Sequence, residues 1–249
     1  NRFSVLPTQT RGCEPGGADQ EQVRRTENEV QEVPTLPSEC EVAQEFYFLV
    51  SSELLKWQGM TLPSLKELRQ QCPETIVKKT ITLTAVLAGE LADGHGAVSH
   101  RWLTPEMSDP DGEQLRAIKE WLRQNDNIAY IWIDEQCMWQ NERSESEQDE
   151  FSRMLKNVNL LYLGMTVLIL LDISYMSRFW TQFEAWCAMQ DLTPSGIAPA
   201  ESESRLYIEC LGTAAHSPES NRQTLLGTWR GKSPYDAYSV LSACDVQVT

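Results

Sequence analysis

Basic residues are scarce in this chain. It carries 21 Lys plus Arg against 36 Asp plus Glu over 249 residues, a formal charge of −15. That sign opposes the phosphate neutralisation from which most nucleic-acid affinity comes, and it excludes DNA or RNA as an expected partner. Long hydrophobic runs are missing too. Stretches such as Phe46–Val50 and Val167–Leu171 fall far short of the roughly 20 residues that cross a bilayer, so the chain is not expected to span a membrane. Closely spaced cysteines are lacking. The seven, at 13, 40, 72, 137, 187, 210 and 244, include no CxxC pair, and an odd number cannot all pair within one chain. No Asn-x-Ser/Thr sequon occurs. Free thiols and an intracellular site, cytoplasmic or inside an organelle, are the expectation. The chain opens Asn-Arg-Phe, which is compatible with a targeting peptide already removed. With His95, His100 and Cys137 at no i, i+3 or i+4 spacing, and no zinc-type cysteine cluster, a metal site is not expected. Gly227–Ser233 (GTWRGKS) imitates a phosphate loop, but its first glycine stands one residue too near the Gly-Lys-Ser. A helix rather than a strand precedes it, so it reads as a turn.

What is present suffices for a globular protein, since hydrophobic residues make up 41% of the chain. Residues 1–40, broken by Pro7, Pro15, Gly16, Gly17, Pro34 and Pro37, read as an irregular N-terminal arm. Residues 41–94 read as a helical extension with a possible strand. Val42, Phe46, Leu49, Val50, Leu54 and Leu55 recur at helical spacing. Leu65, Leu68 and Cys72 do the same after Pro63, and the Thr-, Ile- and Val-rich stretch Lys78–Ala88 is the candidate strand. From residue 95 to 249 the elements alternate. Strands are predicted at Ala97–Trp102, Ile128–Asp134, Val167–Leu171, Arg205–Leu211 and Asp245–Val248. Helices are predicted at Asp111–Asn125, Glu147–Leu163, Tyr175–Gln190, Pro218–Trp229 and Pro234–Ser242. Val167–Leu171 is apolar without alternation, as a strand covered by helices on both faces should be. The order points to an α/β fold, a doubly wound and largely parallel sheet flanked by helices, with ligand chemistry at the carboxyl ends of its strands.

Those ends hold Ser99, His100, Arg101 and Trp102, then Asp134, then Asp172 to Ser177 with Tyr175 among them. Singly, Asp134 and Asp172 fit helix capping equally well; together the three strand ends define one cleft. His100 and Arg101 fit a surface pair, and the Arg101 fork also suits a phosphate at that rim. In Arg178-Phe179-Trp180-Thr181-Gln182-Phe183-Glu184-Ala185-Trp186, Trp180 and Glu184 stand four apart, on one helical face. When the leaving group is already a cationic pyridinium, one carboxylate that stabilises an oxocarbenium-like centre is enough for glycosidic cleavage. An indole beside it can stack on the ring. Taken alone, the pair also fits core packing for Trp180 and a solvated helix carboxylate for Glu184.

Three blocks in this order resemble the heterokaryon-incompatibility (HET) domain of fungi, itself similar to the TIR superfamily. They are Ser99-His100-Arg101-Trp102, Trp132-Ile133-Asp134-Glu135-Gln136-Cys137-Met138-Trp139-Gln140 and Arg178-Phe179-Trp180-Thr181-Gln182-Phe183-Glu184. The resemblance covers Ala97 to Trp186. The chain departs from the family at His100, where tyrosine is usual, at Met138, where isoleucine is usual, and at Phe183, where glutamine precedes the glutamate. The resemblance implies a TIR-like, flavodoxin-like fold and cleavage of the nicotinamide-ribosyl bond of NAD, which serves as substrate with no further cofactor. Glu184 then falls on the catalytic glutamate and Trp180 on the aromatic residue before it, with Ser99, His100, Arg101, Trp102, Asp134 and Tyr175 on the nucleotide side. Homo-oligomers or larger assemblies are the partners it implies. Many TIR-like domains only assemble, so a non-catalytic interaction subunit is the alternative.

Overall fold

The computed structural model describes residues 43–243 and Val246. The irregular arm expected at 1–40 lies outside the described residues, as does the strand expected at Asp245–Val248 apart from Val246.

In chain order the elements begin with β1 (Ala43–Val50), α1 (Ser51–Lys56), α2 (Leu65–Gln71), β2 (Ile76–Thr82) and α3 (Leu83–Leu87). Then come β3 (His95–His100), α4 (Glu113–Gln124), β4 (Tyr130–Trp132), α5 (Asp134–Cys137), α6 (Glu145–Asn157), α7 (Asn159–Gly164) and β5 (Thr166–Leu171). The last are α8 (Phe179–Ala188), β6 (Gln190–Thr193), β7 (Gly196–Pro199), β8 (Leu206–Cys210), α9 (Pro218–Trp229) and α10 (Pro234–Leu241). Six strands form one mixed sheet in the order β2-β1-β4-β3-β5-β8, and β6 and β7 form a separate hairpin. β4, β3, β5 and β8 run parallel. β1 is antiparallel to both β2 and β4.

β1 and β2 therefore extend the sheet, which corrects the helical reading of Phe46, Leu49 and Val50, whereas Leu54 and Leu55 do lie in a helix, α1, and Leu65 and Leu68 in α2. Phe46, Tyr47, Phe48 and Leu49 are consecutive and all buried. A run of this kind, aromatic and buried on both faces, belongs to a strand, and its i, i+3, i+4 matches are incidental to it. Helix begins only at Ser51. The Lys78–Ala88 stretch divides at Thr82, whose side chain accepts from Ala85 N at 3.1 Å and starts α3. Glu147–Leu163 is likewise two helices, α6 and α7, and a 3₁₀ turn over Ile173–Ser177 precedes α8. The imitation phosphate loop is the last turn of α9 and its link to α10. Ser233 there caps α10 in a reciprocal pair with Asp236.

All six residues of β5 are buried, so helices cover both faces of the sheet as the uninterrupted apolar run requires. The four parallel strands place their connections so that β3 leads to β4 on one side and β5 leads to β8 on the other. The carboxyl ends of β3 and β5 thus form the point at which the winding reverses, where open α/β sheets leave a crevice.

Candidate functional site

Ser99 and His100 are the last two residues of β3, and strand alternation sends them to opposite faces of the sheet. On one face, Ser99 Oγ donates to Glu184 Oε2 at 2.7 Å and lies 2.5 Å from the Tyr175 hydroxyl. Ser99 and Tyr175 are both fully buried. Tyr162 of α7, whose hydroxyl donates to Val98 O at 3.3 Å, lies within the field of the Glu184 carboxyl. On the other face, His100 Nδ1 meets Gln114 Oε1 at 2.6 Å and Nε2 meets Asp134 Oδ1 at 2.9 Å. The Trp102 indole donates to both Asp134 oxygens, at 3.1 and 2.8 Å.

The scaffold holds these groups from behind. Asp172 accepts from Tyr175 N at 2.7 Å and so shapes the 3₁₀ turn that carries Tyr175. Its other oxygen takes Arg101 Nε and Nη2, each at 2.7 Å. The Arg101 fork expected for a phosphate is thus engaged by Asp172, which is a cap and an ion-pair partner at once. The Tyr175 carbonyl accepts from Thr181 Oγ1 at 2.6 Å and Gln182 Nε2 at 3.3 Å, and Trp229 Nε1 fixes the Gln182 amide at 2.6 Å. α8 is thereby tied to the turn. Gln114 is placed by Asp109, whose two oxygens accept from Gln114 N and Leu115 N at 3.0 and 2.8 Å. Gly112 begins α4 at φ +66°, where an added Cβ would strike Met60 O.

The environment shifts the charged groups. Glu184 keeps partial exposure as a residue, yet its carboxyl lies deep among neighbours. Burial pushes it up to about 8, against the opposing hydrogen bond from Ser99, with the Asp134 charge adding to the rise. This overturns the expectation of a solvated helix carboxylate. Burial opposes the charge on His100, but Asp134, Gln114 and Glu184 outweigh it and lift the imidazole to about 9. Burial and the Glu184 charge hold both Tyr162 and Tyr175 well above the ordinary phenol.

Six of the expected residues, Ser99, His100, Trp102, Asp134, Tyr175 and Glu184, are therefore linked by hydrogen bonds or charge within one cluster. Trp180 packs its ring edge-on against Phe179 and Phe183, with centroids 5.2 and 6.3 Å apart. A cleft of about 270 Å³ opens beside the cluster, lined by Arg101, Glu113, Asp172, Ile173, Leu211 and Thr213 among others. Of the expected site residues only Arg101 lines it. Gln114 and Tyr162 were missed because a helix-face pattern does not say which polar tip reaches a neighbour. Among the described residues no group of three or more His, Cys, Asp or Glu side chains is arranged to hold a metal ion, and no helix is long and apolar enough to cross a membrane. No family model, no curated protein and no solved structure matches the chain.

Proposed function

We propose that this chain is a TIR/HET-like domain that cleaves the nicotinamide-ribosyl bond of NAD. The observation that carries the proposal is a single carboxyl group, Glu184, set among the hydroxyls of Ser99 and Tyr162 and in the field of His100 and Asp134, at the carboxyl end of β3. In the reaction the bond between ribose C1′ and the pyridinium nitrogen breaks. Both electrons leave with neutral nicotinamide, and positive charge develops on the ribose. Ionised Glu184 stabilises that charge in a poorly solvated setting where one electrostatic contact is worth several kcal/mol. Water, or a group of the substrate itself, then attacks C1′ and a proton is released. Trp180, one turn before Glu184, shapes the pocket for the departing ring, and Ser99 orients the carboxylate. The reading draws on the three sequence blocks as much as on the geometry.

The test is nicotinamide release from NAD by the full chain. Only the ionised carboxylate serves, and at pH 6 a group with a midpoint of about 8 is about 1% ionised. The rate should therefore rise about 100-fold from pH 6 to a plateau above pH 8. A second reading, a non-catalytic assembly subunit, is favoured by one observation: α10 presents Tyr235 and Tyr238 three residues apart, 78% and 72% exposed. A protein of that kind releases no nicotinamide at any pH.

A further inference from the structure

Both ring nitrogens of His100 face acceptors. The Gln114 amide nitrogen donates to two backbone carbonyls, Arg101 O at 2.9 Å and Ser108 O at 3.1 Å. Reversing the amide would set its oxygen against two other oxygens, so Gln114 Oε1 is the atom turned to His100 Nδ1, and it can only accept. Nδ1 therefore carries a hydrogen. At Nε2 the partner is an Asp134 oxygen, 2.9 Å away, which also receives the Trp102 indole N–H, a group that only donates. In a contact between an imidazole and a carboxyl group the imidazole is the stronger base, so Nε2 holds the proton as well. The histidine is thus doubly protonated by the geometry of its partners, with its side chain 3% exposed.

The Glu184 side is built differently. Its partner Ser99 is a hydroxyl, which donates or accepts as needed, and Ser99 lies in turn against a second hydroxyl, that of Tyr175. When Glu184 is ionised, Tyr175 can donate to Ser99 and Ser99 to Glu184. When Glu184 is protonated, the chain can run the other way, Glu184 to Ser99 to Tyr175, with no heavy atom moved. One face of the cluster is fixed in its protonation and the other is reversible.

We infer that His100 is the fixed cation of this site, a positioning residue that holds Asp134 and through it the Trp102 indole, and that Glu184 is the group that gains and loses a proton near neutral pH. This reverses the ordinary assignment of such titration to histidine. The groups facing the pair are Gln114 from α4, Asp134 from α5, Tyr162 from α7, Tyr175 from the 3₁₀ turn, and Cys187 on α8 itself. Burial holds Tyr162, Tyr175 and Cys187 on the neutral side at neutral pH. The inference concerns the site proposed above but does not need the reaction, and it stands or falls even if nicotinamide is never released.

The test is a titration of the full chain, isotopically labelled at histidine ring nitrogens and glutamate carboxyl carbons, followed by NMR. The chain has three histidines, so His216→Gln and His95→Gln assign His100 by elimination, and Glu184→Gln assigns the glutamate. The expected result is a His100 ring with both nitrogens protonated at every pH from 6 to 8, while the Glu184 carboxyl titrates above pH 7. A His100 that loses its proton with a midpoint below 7, or a Glu184 midpoint below 6, overturns the inference. In His100→Gln, which keeps a donor toward Asp134 but no charge, the Glu184 midpoint should move up by at least half a pH unit. A purely structural histidine would leave that midpoint unmoved, and such a result also overturns the inference. Should that variant fail to fold, Asp134→Asn should bring the His100 midpoint down by more than one unit; no shift contradicts the assignment.

Discussion

Replacing Glu184 with glutamine should make this protein more stable and less active, and the size of the first effect follows from the site. Glutamine keeps the volume of the side chain and can bond as the protonated acid does, its amide donating to Ser99 and Ser99 in turn to Tyr175. Folding the wild type at pH 7 requires Glu184, ordinarily near 4.5, to be held in a setting where it titrates at about 8. The unfolded chain has lost that proton and the folded one keeps it. At about 1.4 kcal/mol per unit, the difference between 4.5 and 7 opposes folding by about 3 kcal/mol. A neutral amide carries no such penalty. Glu184→Gln should therefore raise stability by roughly 2 to 3 kcal/mol at pH 7, an increase of roughly 5 to 10 °C in melting temperature for a domain of this size.

The pH dependence distinguishes this cause from better packing. A group whose folded midpoint is raised contributes stability that is fully present below its unfolded midpoint and lost as pH rises through the folded one. The advantage of the variant should be under about 1 kcal/mol at pH 5, grow by about 1.4 kcal/mol per unit, and level off above pH 8. Urea unfolding of both proteins at pH 5, 7 and 9 measures it. Parallel curves, or a variant uniformly weaker than the wild type, would refute the burial argument and return Glu184 to the solvated class. Nicotinamide release should fall about 100-fold in the same variant, the usual cost of deleting one preorganised electrostatic contact. A site residue that costs stability and supplies chemistry is the expected trade.

Arg101→Lys keeps the charge but loses the two-point hold on Asp172, so the turn bearing Tyr175 should loosen, at a cost of about 1 to 2 kcal/mol in a urea melt. Trp229→Phe removes the donor to Gln182 Oε1 inside the core and should cost about 1 to 3 kcal/mol, whereas Trp229→Phe combined with Gln182→Leu should recover part of the loss. Wild-type melting temperature should fall steadily from pH 6 to pH 9, because the raised midpoints of Glu184 and His100 both leave the folded chain holding more protons than the unfolded one; a flat profile over that range contradicts both assignments.

The parallel half of the sheet was legible because its signals are local. Val167–Leu171 is apolar at every position, and only a strand covered on both faces tolerates that in so short a run. The grouping of Ser99, Asp134 and Tyr175 was also legible, since residues just past successive parallel strands meet at one edge whatever the loops do. β1 was not, because Phe46, Tyr47, Phe48 and Leu49 satisfy both periods and only pairing with β2 and β4 decides between them. The β6–β7 hairpin was missed for a related reason: Gln190–Pro199 has no sustained alternation, and its turn at Gly196, with φ +118°, is set by backbone freedom.

The burial of Glu184 had a sequence signal that the motif obscured. In the ten residues of α8, FWTQFEAWCA, Glu184 is the only charge, and residues on several sides of the helix, among them Thr181, Gln182, Ala185, Trp186, Cys187 and Ala188, are buried. A helix that is uncharged all round except at one position has no solvent face on which a charge would rest. A lone carboxyl there must therefore find donors or keep its proton. In this protein Ser99 donates to it, while burial pushes it up to about 8. The matching signal for His100 is weaker. A histidine ending a strand next to buried Ser99 declares its burial, but its charge depends on Gln114 and Asp134, which lie 14 and 34 residues away. Charge state is a property of the whole cluster, and it becomes readable only once the fold has brought the donors and acceptors together.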